Sequence, residues 1–113
     1  MAQYWVVVQR TVGKAPEAIA DAAMAHDVDA LNDEMDAAGI RIFVGGLRPV
    51  GEGRTLRRLT DGTVSLEGGS SMPGDVYIDG FWVLDVRSFD EALAWGQKAA
   101  VACRASIEVR PFY

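Results

Sequence analysis

Residues 3–9, Gln-Tyr-Trp-Val-Val-Val-Gln, are β-branched and aromatic with no Gly or Pro among them, which predicts a strand. Turn chemistry follows at residues 11–16. From Pro16, suited to a first helical turn, an alanine-rich stretch runs to Gly39, a candidate left-handed cap. Met24, Val28, Leu31, Met35 and Ala38 recur in it at steps of four and three, the stripe of an amphipathic helix. One helix over the whole stretch would be ~34 Å long, so a break is expected near Ala25 to Asp27.

Ile40 to Val44 alternates as a strand and stops at Gly45-Gly46, opening a loop through Gly51. Residues 54–59 and 63–66 flank Asp61-Gly62 and predict a hairpin. Residues 67–75 read as a loop and Phe81 to Val86 as another strand. Ser88 and Glu91 have capping-box spacing, which starts a helix carrying Leu93, Trp95, Ala99 and Ala100. Ile107 to Arg110 closes the chain as a last strand.

The expected order is βαββαβ with a hairpin inserted between the middle strands, an α+β plan of ferredoxin-like type. Both helices then cover one face of one antiparallel sheet. Tyr4 to Val8 and Phe81 to Leu84 are apolar on both sides, so the second sheet face would be left apolar in water. A second copy packed sheet to sheet is the simplest cover, and a homodimer is expected.

Composition narrows the class. The 113 residues, half of them hydrophobic, fit a single domain over 1–113 that needs neither metal nor disulfide to form a core. Cys103 is the only cysteine and is read as structural. No apolar run approaches a membrane span and no secretory signal is visible, so a soluble, cytoplasmic protein without a membrane partner is expected. The formal net charge is -5, which disfavours a phosphate backbone and argues against nucleic acid. Seven acids lie in residues 17–36 without a Lys or Arg, whereas residues 40–60 hold Arg41, Arg48, Arg54, Arg57 and Arg58 against Glu52 alone. These blocks read either as solvated faces or as a source of one arginine that holds a small anionic ligand.

Gly39 with its following strand, Gly46-Leu47-Arg48-Pro49, Gly80 to Val86, Asp90-Glu91-Ala92-Leu93-Ala94-Trp95 and Ile107 to Phe112 together resemble the YCII-related, or DGPF, family, in that family's order. The resemblance covers about residues 24–113. It implies a dimeric α/β barrel. The family's Asp-Gly-Pro-Phe signature falls at Gly68-Gly69-Ser70-Ser71, so the namesake motif is replaced here. The resemblance also implies a histidine near the start of the first helix paired with an aspartate near its end. His26, the only histidine, with Asp33 or Asp36 as partner, is the candidate catalytic set. On a continuous helix His26 lies almost opposite the apolar stripe, where it would be a solvated surface residue.

Gly46, Arg48 and Trp82 are the candidate ligand-binding residues: glycine lets a ligand approach the backbone, arginine holds an anion, and tryptophan walls a pocket. Each also has an ordinary structural reading as loop, surface ion pair or core. There is no phosphate loop, dinucleotide fingerprint, zinc spacing or nucleophile elbow, so no cofactor and no metal are expected. Two functions follow. One is a non-catalytic small-molecule-binding or accessory, regulatory dimer; the other is a cofactor-free, lyase- or isomerase-like enzyme moving a proton on a small organic acid.

Overall fold

The computed structural model describes residues 1–12, 22–69 and 74–113. The expected helix start at Pro16, most of the turn at 11–16 and the centre of the loop at 67–75, with Ser70 and Ser71, lie outside them. The chain runs β1 (Ala2–Thr11), α1 (Ala22–Ala38), β2 (Arg41–Gly46), a single 3-10 turn (Val50–Glu52), β3 (Arg54–Arg58), β4 (Val64–Gly68), β5 (Val76–Val86), α2 (Phe89–Cys103) and β6 (Ser106–Pro111). Four strands form one antiparallel sheet in the order β2-β5-β1-β6, and β3 and β4 form a separate hairpin. The protein is α+β, and its four-stranded sheet is open rather than closed into a barrel.

Strand alternation decides where the core lies. Tyr4, Val6 and Val8 on β1 and Trp82, Leu84 and Val86 on β5 are buried together with Leu31 and Met35 of α1 and Ala92, Ala99 and Ala102 of α2. The intervening positions Trp5, Val7, Phe81 and Val83 therefore point to the other face. Trp5 and Phe43 both lie against Phe81 there, with ring centroids 6.3 and 5.7 Å away, and Phe43 remains 52% exposed. Val7, opposite Phe81 and Glu108 in the ladders, is the fully buried residue of that face.

α1 is unbroken from Ala22 to Ala38, so the break expected near Ala25 to Asp27 is not there. Four of the five stripe positions behave as the spacing predicts, Leu31 and Met35 buried and Met24 and Val28 half-buried, whereas Ala38, at the helix end, is exposed. Gly39 ends it at φ +69°, the left-handed cap expected from the sequence. Ser88 caps α2, its side chain accepting from the Glu91 amide at 3.1 Å. The buried stripe of α2 is Ala92, Gly96, Ala99, Ala102 and Cys103, whereas Leu93 is 44% exposed. Small residues bury here because the helix sits close on the sheet: a Cβ on Gly96 would meet Val109 Cγ2 at 2.7 Å.

β5 is longer than the Phe81 to Val86 expected, because a bulge carries it back to Val76. Val8 opposes Gly80 but Gln9 opposes Ile78, so Asp79 is an extra residue in the ladder. The hairpin stands apart from the sheet. Leu56 and Leu66 oppose each other on its apolar side, 71% and 67% exposed, while Arg57 and Glu67 pair on its polar side. The described residues extend 48 × 36 × 18 Å with a radius of gyration of 15.9 Å, against about 13 Å for a compact domain of this length. Among the described residues no helix is long and apolar enough to cross a membrane.

Candidate functional site

β1 brings a cation into the interior. Its inward positions run Tyr4, Val6, Val8 and then Arg10, whose side chain is 7% exposed. A buried charge needs a partner, and the bulge supplies it by turning Asp79 to the same side. Arg10 Nε donates to Asp79 Oδ2 at 2.7 Å and Nη1 to the Cys103 carbonyl at 3.1 Å. Among the described residues Nη2 reaches only the Met24 thioether, at 4.0 Å.

The pair sits in a cleft of about 220 Å³ between the sheet and the helices, with Val8, Met24, Val28, Val44 and Trp82 among its walls. Gly46 and Gly80 oppose each other at the point where β2 meets β5 beside this cleft. A Cβ on Gly80 would lie 2.7 Å from the Gly45 carbonyl oxygen, so only glycine allows this approach. Trp82 is oriented by its indole N–H, which donates to Asn32 Oδ1 at 2.9 Å. Arg41 Nη1 donates to the same oxygen at 3.2 Å and to the Asn32 carbonyl at 3.1 Å, tying α1 to β2. Cys103 also lines the cleft. Burial pushes its thiol upward from the ordinary range, which keeps it protonated and poorly nucleophilic at neutral pH.

The residues singled out from sequence are dispersed. Gly46 and Trp82 both line the cleft. Arg48 does not: it borders a separate groove of about 460 Å³ beside Tyr77 and Ile78, its side chain 82% exposed and its Nε 2.8 Å from Glu52 Oε1. His26, Asp33 and Asp36 are all exposed on α1. His26 and Asp33 are two turns apart, about 10 Å along the axis, too far to share a proton directly. Asp36 instead faces Arg41, Oδ1 to Nη2 3.6 Å. No hydrogen bond or ion pair joins His26 to another described residue.

Arg10, Asp79 and Met24, which line the cleft, and Asn32, which orients Trp82 there, are not among the site residues that sequence reasoning singled out. Arg10 was legible in one respect, since it continues the phase of Tyr4, Val6 and Val8. Among the described residues no group of three or more His, Cys, Asp or Glu side chains is placed to hold a metal ion. The fold and site thus define an α+β protein with a one-sided helical layer and a small, mostly apolar cleft floored by a buried arginine paired with a half-buried aspartate. No protein-family model matches this chain, and no curated protein is detectably similar to it.

Proposed function

We propose that this protein is a dimeric small-molecule-binding or accessory, regulatory protein of YCII-related, ferredoxin-like type, working in the cytoplasm. The cleft of about 220 Å³ beneath α1 carries this reading. It has apolar walls, a few convergent polar groups and glycine backbone at its edge, the features of a small-ligand site. It lacks a chemical engine. The thiol is held protonated, the arginine is held by a carboxylate, and the histidine stands away from the cleft on the exposed side of α1.

The open sheet face supports the dimer. Trp5, Phe43, Phe81 and Val83 present an aromatic and aliphatic surface there, and such a surface is costly to leave in water. Asp85 lies on the same face, its Oδ1 buried within the chain without a donor among the described residues. The strand order and the inserted hairpin support the YCII-related reading.

Light scattering at micromolar concentration, together with a thermal-shift screen of small organic molecules, tests both parts. A mass near twice 12.2 kDa and at least one stabilising ligand are expected. A monomer overturns the dimer. Turnover of a bound molecule that disappears in His26→Ala, with Tm unchanged, overturns the non-catalytic reading in favour of proton transfer by that histidine.

A further inference from the structure

A guanidinium carries five N–H donors in a rigid fork. In Arg10 Nε and Nη1 are occupied by Asp79 and the Cys103 carbonyl, whereas Nη2 has, among the described residues, only a thioether at 4.0 Å, a weak acceptor. The side chain is more than nine-tenths buried. A buried donor left without a good acceptor is costly, and such groups in native proteins meet a ligand or an ordered water. Arg10 and Met24 both line the cleft, and Nη2 is the Arg10 nitrogen on the Met24 side, so an acceptor entering beside Met24 comes within its reach.

We infer that the cleft binds a small organic acid with a single carboxylate, which accepts from Arg10 Nη2 while its apolar body lies against Met24, Val28 and Trp82. The inference rests on the small-molecule-binding reading above. Three observations set the class. The spare donor belongs to a cation, which favours a carboxylate oxygen over a neutral carbonyl. Asp79 shares that cation, so a single carboxylate already leaves one uncompensated negative charge in the cleft, and a dicarboxylate or a phosphate dianion would leave two beside the same Asp79 carboxylate. The volume of about 220 Å³ lies below the roughly 300–1,000 Å³ of pockets for drug-sized ligands, which limits the body to a short aliphatic chain or one ring. Asp79 is a positioning residue: it holds the fork so that Nη2 faces the cleft.

Calorimetric titration of the full chain with hexanoate and phenylacetate, each against its matched amide, tests the inference. At least one acid is expected to bind about tenfold or more tightly than its amide, with succinate and inorganic phosphate weaker than either acid. Met24→Glu places a carboxylate of the chain itself within reach of Nη2. That variant is expected to keep its Tm and lose the acid. Equal binding of acid and amide, undiminished acid binding in a folded Met24→Glu, or no binding of either acid at millimolar concentration overturns the inference. Should Met24→Glu fail to fold, the acid-to-amide ratio of the unmodified chain decides alone. Acid and amide binding equally, and both lost in Val28→Trp, would leave the ligand-binding reading standing while removing the acid. An unproductive wider screen of neutral and basic compounds would remove both.

Discussion

Gly80 shows how much of the cleft depends on one absent side chain. A Cβ there would meet backbone, the Gly45 carbonyl oxygen at 2.7 Å and Gly46 Cα at 3.1 Å, and backbone cannot swing aside as a side-chain tip can. Gly80→Ala is therefore expected to cost about 1–3 kcal/mol, the range of overpacked interiors, as measured by urea denaturation. It should also force β2 away from β5 and widen the cleft at Gly46. A stability equal to the parent's would mean that β2 yields freely at this point. The same residue explains why Arg10 and Asp79 were hard to read in advance. Phe81 to Leu84 is a continuous apolar run, and it draws attention from the strand that continues back through Gly80 and Asp79 to Val76. Bulges arise from pairing between distant strands, and no local pattern records that Gln9 opposes Ile78. Gly46 and Trp82 were legible as pocket types because a glycine pair ending a strand and a strand tryptophan are local signals.

Among the elements, the β3–β4 hairpin is the one held by its own chemistry. Asp61 accepts from the Thr63 hydroxyl at 2.6 Å and from its amide at 2.9 Å, which places its carboxyl below the ordinary range. Glu67 is lowered likewise by its hydrogen bond from Arg57, Oε1 to Nε 2.8 Å. A lowered folded-state value stabilises the hairpin above the ordinary carboxylate range and is lost as pH falls through the lowered values. Acidification below about pH 4 is thus expected to loosen the hairpin before the four-stranded sheet, whose core is apolar. Amide resonances of Thr63 and Ser65 followed by NMR should broaden or shift while those of Val6 and Leu84 stay fixed; simultaneous loss would refute this. The hairpin was the easiest element to read, since Asp61-Gly62 is a local turn signal and Gly62 adopts φ +88°. α1 was harder: its length argued for a break, but packing of Leu31 and Met35 along one stripe keeps Ala22–Ala38 continuous.

At the scale of the molecule, a layer only 18 Å thick has helices on one side and aromatic rings on the other. Phe43 is the most useful probe because it is half exposed and its replacement leaves the helix-side core untouched. Phe43→Asp is expected to weaken self-association by about tenfold or more through loss of apolar burial and introduction of a charge, with little change in far-ultraviolet circular dichroism. Analytical ultracentrifugation over a dilution series measures it, and an unchanged association constant would move the interface away from this face. The one-sided layer was legible from Tyr4 to Val8 and Phe81 to Leu84 being apolar on both sides. The elongated outline was not, because nothing in the hairpin's alternation states that it lies off the main sheet.

The place of β1 in the ladder carries a last consequence, for the order in which the protein can assemble during synthesis. β1 is an inner strand, and both of its neighbours, β5 and β6, lie far along the sequence from it: Tyr4 lies opposite Leu84 on one side and Pro111 on the other. Its backbone stays unpaired until β5 and β6 have been made, so the pairing of β1 waits on partners distant in sequence and proceeds at the slow pace of distant pairing. β6 completes the seat of β1.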